Sequence, residues 1–321
     1  MEDSVKILNS QLPENWELKQ FDSSSSNLWK GFPYFYRHTE YGYMSRPGLG
    51  DPFILQSCKA DFVPHSSDVN ITSFPKAGTT WMQEIAYLVD HMDLEYDESP
   101  LDVRCPFLEV RLHPLPAGLD ILPTLSYPRH LKWHSALDLL PSGILENSKV
   151  IHIARNPKDL CVSYYHFARM NKHFGFVGSF NDFFDCFIKG EVPFGPFWEN
   201  ILSFWRQRDH PNLLFITYEE LQDNLERSIS KVGEFLGREL TVDQIADIAS
   251  RVTFDAMSTN PLVNHSHWDK LGLRVSTEAT FFRKGKVGDW MEHFSEEQNE
   301  IMNRWIEVKS ADTGLKFQYT L

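Results

Sequence analysis

A strand that leads through a short glycine-containing loop into a helix constrains this chain more than any other feature. Residues 69–74 have the pattern of a strand, and apolar residues recur with helical spacing from Trp81 to Val89. Between them lies the loop 76–80, with the sequence Lys-Ala-Gly-Thr-Thr. Such a loop points backbone N–H groups and the positive end of the helix at one position. We therefore predict an anion site of the phosphate or sulfate type.

The order of residues in this loop narrows the class of ligand. In the Walker pattern a lysine follows the second glycine, whereas Lys76 here precedes Gly78 and no glycine lies upstream in the loop. An ordinary ATPase is therefore disfavoured. A tight strand-to-helix turn that binds nothing is the alternative for this loop taken alone.

Further strands and helices indicate the class of fold. The other segments with a strand pattern are 130–134, 150–154 and 212–218. After the second of these, Asn156 suits a helix N-cap and Pro157 the first helical position. After the third, Glu219 and Glu220 suit a helix start. Strands that alternate with helices predict an α/β fold with a central parallel sheet flanked by helices.

The length of the chain fits a single large domain. A chain of 321 residues can form one or two domains, and we expect one, at residues 67–321. Residues 1–66 are expected to form an irregular, aromatic-rich segment packed on that core, since prolines interrupt any long periodic pattern. These prolines include Pro33, Pro47, Pro52 and Pro64.

The overall charge and the cysteines limit the partners and the location. A formal net charge of −13 argues against nonspecific binding of nucleic acid or of an anionic membrane. No apolar run approaches the roughly 20 residues of a membrane span, and the N-terminus lacks the pattern of a secretory signal. The scattered Cys58, Cys105, Cys161 and Cys186 are expected to be small buried hydrophobes in a reducing compartment. A cytoplasmic protein fits best.

A second candidate site lies at Arg155 and Ser163. Arg155 ends a predicted strand, where parallel sheets bind ligands beyond their carboxyl ends. A guanidinium and a hydroxyl near a helix start can bind a phosphate together. The alternative is that Arg155 pairs with an acid such as Asp159 and that Ser163 has no ligand.

A lysine and a histidine share one face of the predicted strand 130–134. The period of two places Lys132 and His134 on the same side. Imidazole can take a proton from an attacking hydroxyl at neutral pH, and a nearby cation can stabilise charge on a transferring group. The alternative is a structural role, since the chain has 13 histidines.

The densest basic cluster lies at residues 281–290. Arg283, Lys284 and Lys286 alternate with Gly285 and Gly288, which suggests backbone that approaches a phosphate. A solvated basic turn is the alternative.

No spacing typical of a metal site is found. His265 and His267 lie in a polar loop, and we expect no third ligand near them. We therefore predict no metal site.

Together, these motifs resemble those of the cytosolic sulfotransferase family. The resemblance extends from residue 69 to residue 300 or so, which is most of the chain. The matching motifs are Phe74-Pro75-Lys76-Ala77-Gly78-Thr79-Thr80-Trp81, Arg155-Asn156-Pro157-Lys158-Asp159 with Ser163, and Arg283-Lys284-Gly285 with Gly288-Asp289-Trp290. Motifs this specific in the family's order make coincidence implausible. The resemblance implies a P-loop-like sulfotransferase fold around one nucleotide.

The resemblance also implies a reaction. The donor would be 3′-phosphoadenosine 5′-phosphosulfate (PAPS), the product adenosine 3′,5′-bisphosphate (PAP), and the acceptor a small molecule. His134 matches the family's general base, while Lys76 and Lys132 match residues that stabilise the departing and transferring groups. No metal is required, because fixed cations and amides supply the electrostatic stabilisation. The implied nucleotide-binding residues are Lys76, Ala77, Gly78, Thr79, Thr80, Trp81, Arg155, Ser163, Tyr218, Val252, Thr253, Phe254, Met257, Phe281, Phe282, Arg283, Lys284 and Gly285.

Two departures from the family pattern affect the acceptor and the oligomeric state. Trp133 stands where relatives usually have threonine, and its bulk could reshape the packing or the acceptor pocket. The family's dimer segment has Lys, Thr-Val and Glu at positions aligned with Met291, Ser295, Glu296 and Glu300. A charge in place of valine removes an apolar contact from a small interface. A homodimer is therefore possible, but its segment is altered.

Aromatic residues are candidates for an apolar acceptor pocket that would bind phenols, steroids or other lipophilic alcohols. They could equally belong to the core. They are Phe107, Phe174, Phe176 and Phe194, together with those of the N-terminal segment.

Other functions stay open at this point. A nucleotide-dependent phosphotransferase would need a metal-holding acid and usually the Walker spacing, and neither is evident. A protein that binds nucleotide without reacting would be expected to lack His134 or Lys76, and both are present. Sulfonation of an allylic alcohol followed by loss of sulfate, a net dehydration, is compatible with the sequence.

Overall fold

The N-terminal part of the chain forms a small antiparallel sheet and a helix. The computed structural model describes residues 10–20, 27–30, 34–92, 98–112 and 118–321. The N-terminal elements are strands β1 (Trp16–Gln20), β2 (Tyr34–His38) and β3 (Met44–Ser45) and helix α1 (Pro52–Asp61). The prediction that residues 1–66 are irregular is therefore wrong for their described part.

The prolines mark the ends of elements in this segment. Pro52 occupies the first turn of α1, where its missing N–H costs no hydrogen bond. Asp51 caps the helix by accepting hydrogen bonds from the backbone N–H groups of Phe53 and Ile54. Strand β2 pairs antiparallel with both β1 and β3. The boundary at residue 66 itself stays a prediction.

A parallel sheet forms the centre of the protein. Its strands are β4 (Val69–Ser73), β5 (His130–Trp133), β6 (Lys149–Ala154) and β7 (Leu213–Thr217). They lie in the order β5-β4-β6-β7, and all neighbours pair in parallel. The carboxyl ends of the strands therefore meet at one edge of the sheet, where ligands bind in open α/β folds.

Helices flank this sheet and connect its strands, which confirms the predicted α/β class. They are α2 (Thr79–Asp90), α3 (Leu101–Arg104), α4 (Gly118–Ile121), α5 (Ile144–Asn147), α6 (Pro157–Met170), α7 (Phe180–Lys189), α8 (Phe197–Trp205), α9 (Tyr218–Asp223), α10 (Leu225–Leu236), α11 (Val242–Arg251), α12 (Phe254–Thr259), α13 (His267–Lys270) and α14 (Glu296–Ser310). Short 3-10 turns lie at Leu122–Thr124, Leu137–Leu139 and Asp289–Glu292. As predicted, Asn156 caps α6 and Pro157 begins it.

The N-terminal segment shares its core with the sheet. Trp29 and Phe35 are buried in the same apolar cluster as Phe74 and Phe183. The cysteines are buried and unbridged, as expected of small hydrophobes. Within the described ranges, the helices are too short or too polar to cross a membrane.

Candidate active site

The loop before α2 has the backbone geometry that an anion site needs. Lys76 and Gly78 both have left-handed backbone, with φ of 70° and 111°. A Cβ at Gly78 would lie 2.9 Å from side-chain carbons of Ile153 and Tyr218, so only glycine fits. Among the described residues, no side chain caps the N-terminus of α2. The first N–H groups of this helix are therefore available to a ligand.

Nearly all of the predicted nucleotide-binding residues line one cavity at the carboxyl edge of the sheet. They are Lys76, Gly78, Thr79, Thr80, Trp81, Arg155, Ser163, Tyr218, Val252, Phe254, Met257, Phe281, Phe282, Arg283, Lys284 and Gly285. The predicted catalytic Lys132 and His134 line the same cavity. Ala77 and Thr253 do not: Ala77 is buried in the core, and the Thr253 hydroxyl caps α12 by accepting from Ala256 N at 3.2 Å.

The cavity is lined by cationic side chains that form no close ion pair with a described carboxylate; Arg155 is buried, and Lys76 and Lys132 are partly buried. Within the described residues, Lys76, Lys132 and Arg155 form no ion pair with a carboxylate. A buried charge is costly unless it is paired. Their convergence on one cavity therefore indicates that the missing partner is an anionic ligand.

Arg155 contacts carbonyl oxygens and an aromatic ring. Its guanidinium donates to the carbonyl of Lys286 at 3.0 Å and lies 4.2 Å from the centre of the Tyr218 ring. Its Nε is buried and has no partner in the described part of the chain. The alternative pairing with Asp159 is wrong, since that carboxylate accepts from the backbone N–H groups of Gly288 and Trp290 at 2.8 and 3.0 Å.

The basic cluster at 283–285 meets the same cavity but is partly neutralised. Arg283 and Lys284 both pair with Asp289, and Lys284 also donates to Glu292 at 2.5 Å. The Nε of Arg283 is buried without a described partner. A Cβ at Gly285, where φ is 64°, would overlap the ring of Phe254. The loop is therefore fitted closely against α12.

Burial and like charges lower the pKa of Lys76 to about 7. Burial has the larger effect, and the nearby Lys132, Arg155 and Arg283 add repulsion. The ammonium also lies 3.8 Å from the centre of the Phe281 ring. Because a bound anion would reverse the repulsion, ligand binding and protonation of Lys76 should favour each other.

An aromatic pair lies beside the loop. The rings of Trp81 and Tyr218 meet edge to face at 5.3 Å, and the indole Nε1 of Trp81 has no partner among the described residues. The sequence placed Tyr218 at the end of the strand that precedes α9, but Tyr218 is the first residue of α9. Two flat apolar surfaces at this point can hold an adenine ring.

His134 is held with one ring nitrogen fixed. Its Nδ1 lies 2.8 Å from the carbonyl oxygen of Ser73, which can only accept a hydrogen bond, so Nδ1 carries the proton and Nε2 has a free lone pair. Burial lowers the pKa of His134 well below its usual value, and the charges of Lys132 and Lys76 lower it further. His134 is therefore neutral and able to accept a proton at neutral pH.

Glu109 fixes the backbone at His134, and the sequence did not identify it. Its carboxylate accepts from the backbone N–H of His134 and from the N–H and hydroxyl of Ser135. Burial raises the pKa of Glu109 to about 7. The nearest residue that the sequence indicates is Phe107, two positions before it. Glu109 itself has no local signal, because its contact joins positions 25 residues apart that only the fold brings together.

Trp133 does not line the cavity, so of the two effects expected of its bulk, the structure agrees with the one on the packing and shows no direct contact with the acceptor pocket. Because side chains alternate along β5, it faces the opposite side from Lys132 and His134. Its indole N–H donates to Asn70 Oδ1 at 2.8 Å, and its ring packs against Phe62.

Some of the predicted aromatic residues border the cavity and others do not. Phe107, Phe174 and Phe194 line it, whereas Phe176 packs against Trp29 in the core. Of the described residues before position 66, Leu49 alone lines the cavity. Trp29, Phe35 and Tyr43 of the N-terminal segment instead belong to the core.

A third potential metal ligand lies beside His265 and His267, so the expectation that they have none is wrong. Asp102 lies 3.3 Å from Nδ1 of His265 and 3.1 Å from Nε2 of His267. The sequence could not reveal this group, since more than 160 residues separate Asp102 from the histidines.

The chain belongs to the sulfotransferase family. The family model described as a sulfotransferase domain matches residues 66–314. Bovine sulfotransferase 1A1 is 38% identical over 258 residues, which cover 79% of this chain and 87% of that protein. Zebrafish cytosolic sulfotransferase 1 is 34% identical over 264 residues, with 80% and 87% coverage.

Solved structures agree with this assignment. A crystal structure of retinol dehydratase in complex with androsterone and inactive cofactor PAP has a TM-score of 0.83 and 25% identity, and the match covers 95% of this chain and 99% of that chain. Mouse sulfotransferase SULT7A1 complexed with PAP has a TM-score of 0.69 and 25% identity, with 87% and 94% coverage. The protein is therefore a sulfotransferase with PAPS as its co-substrate, and the unpaired cations of its cavity fit a donor with several negative charges.

Proposed function

We propose that the protein transfers a sulfonate group from PAPS to the hydroxyl or amine of a small lipophilic acceptor, with His134 as the general base. One observation carries the proposal: His134, whose Nδ1 lies 2.8 Å from the carbonyl oxygen of Ser73, lines the same cavity as cations that have no ion-pair partner among the described carboxylates. Phenols, steroids and other alcohols are the proposed acceptors. The apolar part of the cavity supports them, with Phe107, Phe174 and Phe194 in its wall.

The proposed roles follow the surroundings of each residue. The loop 76–80 and the free N–H groups of α2 would bind the 5′-phosphosulfate, and Arg155, Ser163 and residues 283–285 the 3′-phosphate. Trp81 and Tyr218 would hold the adenine, with Val252, Phe254, Met257, Phe281 and Phe282 around it. Anchoring both ends of the donor fixes the sulfur for in-line attack.

Proton and charge movements complete the proposed mechanism. His134 would accept the acceptor's proton on Nε2 while the carbonyl of Ser73 holds Nδ1–H, which stabilises the imidazolium form. Lys76 would offset the charge that grows on the departing phosphate oxygen, and Lys132 the charge on the transferring group. None of these steps uses a metal ion.

A panel of acceptors tests the proposed class of substrate. The enzyme is incubated with PAPS that carries radioactive sulfonate and, in separate reactions, with phenols, steroids, retinoids and amines. We expect label to move to one or more of the lipophilic acceptors. Failure to label any of them, by an enzyme shown to bind PAP, would overturn the proposed acceptor class.

A second candidate is dehydration of an allylic alcohol through its sulfonate ester. The match to retinol dehydratase, at a TM-score of 0.83 over 95% of this chain, favours it. In this reaction the ester loses sulfate and a proton, so the products are an alkene and inorganic sulfate. With retinol as substrate, a hydrocarbon product identified by mass spectrometry would support dehydration, and a stable retinyl sulfate or unchanged retinol would exclude it for this substrate.

We also propose a cytoplasmic location. The unbridged, buried thiols are compatible with a reducing compartment, and a zebrafish relative bears the name cytosolic sulfotransferase 1. Microscopy of the tagged full chain would test this location.

A further inference from the structure

Two histidines and an aspartate that are distant in the sequence meet beside the cavity. Asp102 lies in α3, His265 precedes α13 and His267 begins it. The Oδ2 atom of Asp102 is 3.3 Å from Nδ1 of His265 and 3.1 Å from Nε2 of His267, and all three donor atoms lie within 4.8 Å of one another. The mechanism proposed above uses none of these residues.

We infer that Asp102, His265 and His267 form a binding site for a divalent transition-metal ion such as Zn²⁺. In a tetrahedral site with metal–ligand distances of about 2.0–2.1 Å, neighbouring donor atoms are about 3.3 Å apart. Both distances from Asp102 agree with that geometry. Two imidazole nitrogens favour zinc, cobalt or copper over magnesium or calcium, which prefer oxygen ligands. A fourth position stays available to water.

The protein holds the ligands in place before any ion binds. The ring of His265 lies 4.5 Å from that of Trp268 and 4.4 Å from that of Phe281, measured between centroids. The two segments are also joined by a backbone hydrogen bond of 2.8 Å from Leu101 N to Leu262 O. A preorganised ligand set of this kind binds with little loss of conformational entropy.

The site is also accessible. The side chains of Asp102 and His267 are 30% and 31% exposed, although His265 is buried. An ion can therefore reach Asp102 and His267 from solvent, and the buried imidazole of His265 then completes its protein ligands. Lys132 also interacts electrostatically with Asp102, although the two form no close ion pair. A bound ion would compete with this interaction.

An ion at this position would join two parts of the cavity wall. Asp102 lies on one segment that lines the cavity, and Trp268, one residue after His267, lies on the other. Binding would restrain the relative movement of these two segments.

Cobalt(II) is the probe, since tetrahedral coordination gives it visible absorption bands. The full chain is dialysed against Co²⁺, the bound metal is counted, and the spectrum is recorded before and after addition of Zn²⁺ or Mg²⁺. We expect one Co²⁺ per chain, displaced by Zn²⁺ and not by Mg²⁺.

Variants locate the site. His267→Gln and Asp102→Asn should weaken Co²⁺ binding by at least about a hundredfold. His210→Gln is the matched control, because His210 lies in the turn before β7 and does not line the cavity. Binding of PAP by each variant reports that it is folded. His267→Gln is expected to fold without difficulty, because His267 is partly exposed.

The thermal midpoint gives a second measurement. Zn²⁺ should raise it in the wild type and in His210→Gln but not in His267→Gln, since a ligand of the folded state stabilises that state. The inference is overturned if the wild type, while binding PAP, takes up no Co²⁺, or if His267→Gln binds it as tightly as the wild type. Asp102 would then serve only as a hydrogen-bond partner of the two histidines.

Discussion

At the scale of single residues, Arg155 and Lys158 lie in one motif but have different surroundings. Arg155 faces the cavity and forms no ion pair with any carboxylate in the described ranges. Lys158 donates to Asn299 Oδ1 at 2.7 Å and lies 4.1 Å from the centre of the Trp290 ring, away from the cavity. Arg155 therefore has a ligand-binding environment and Lys158 a structural one.

This difference predicts unequal effects on nucleotide binding. Arg155→Ala should weaken PAP binding by about tenfold to a hundredfold, because a charge-assisted hydrogen bond contributes about 1.5–3 kcal/mol. Lys158→Ala is the control and should leave the affinity almost unchanged. Isothermal titration calorimetry gives both dissociation constants, and equal effects of the two substitutions would contradict the proposed roles.

The lowered pKa of Lys76 predicts a pH dependence of PAP binding. With a pKa of about 7 in the free enzyme, Lys76 loses its charge as the pH rises above that value. The phosphates of PAP stay fully ionised there, because their second pKa is about 6. The dissociation constant should therefore rise between about pH 7 and about pH 9, by up to about tenfold per pH unit.

Lys76→Arg is the control for this pH dependence. A guanidinium keeps its charge throughout this range, so the slope above neutral pH should largely disappear even if the affinity itself changes. A wild-type dissociation constant that is the same at both ends of the range would show that the charge of Lys76 does not govern binding.

The residues that the sequence identified were those with a local signal. Lys76, Arg155 and His134 each follow or end a strand that its own pattern predicted, and the structure brings all three to one cavity. Glu109 and Asp102 had no such signal. Their partners are fixed by tertiary packing, which a periodic pattern cannot report.

At the scale of elements, the loop 281–288 depends on close packing against α12. Gly285 has a φ of 64°, and a side chain there would overlap Phe254. Gly237, at the end of α10, has a similar φ of 73° but no atom within 4 Å of the Cβ position. A substitution at Gly237 would therefore introduce backbone strain alone, whereas one at Gly285 would add steric overlap.

Alanine at these positions should give different results. Gly237→Ala should cost about 1–2 kcal/mol of stability, because it forces a left-handed backbone on an L-residue. Gly285→Ala should cost more, because its Cβ would also overlap the ring of Phe254. Gly285→Ala should also weaken PAP binding several-fold, since Phe254 and the loop both line the cavity. Calorimetric unfolding and PAP titration measure the two effects, and equal PAP affinities of the two variants would argue against a role of this loop in nucleotide binding.

The elements themselves were predictable where one pattern dominated. The strand before Gly78 and the helix after Asn156 were found because apolar periodicity and capping residues agree there. The N-terminal strands were missed because they are short and alternate with turns. There, Pro52 begins a helix, although prolines had indicated irregular structure.

At the scale of the whole molecule, the C-terminal segment predicts a monomer. Ser295 caps α14 by accepting from Gln298 N at 3.1 Å, and Glu296 and Met291 are exposed. An exposed carboxylate in place of an apolar residue disfavours a small isologous interface. Light scattering at micromolar concentration should give the mass of one chain, about 37.4 kDa. A mass of twice that value would show that a dimer forms in spite of the substitution.

The central claim is that one cavity binds the donor and provides His134 to remove the acceptor's proton. A single-turnover reaction tests it most directly, with radioactive PAPS bound to the enzyme and an accepted substrate added in a rapid-mixing instrument. His134→Ala should slow the transfer by about a hundredfold to ten-thousandfold, the usual contribution of a general base, while the dissociation constant of PAP stays within a factor of about two or three of the wild type. Transfer at the wild-type rate by His134→Ala would contradict the account.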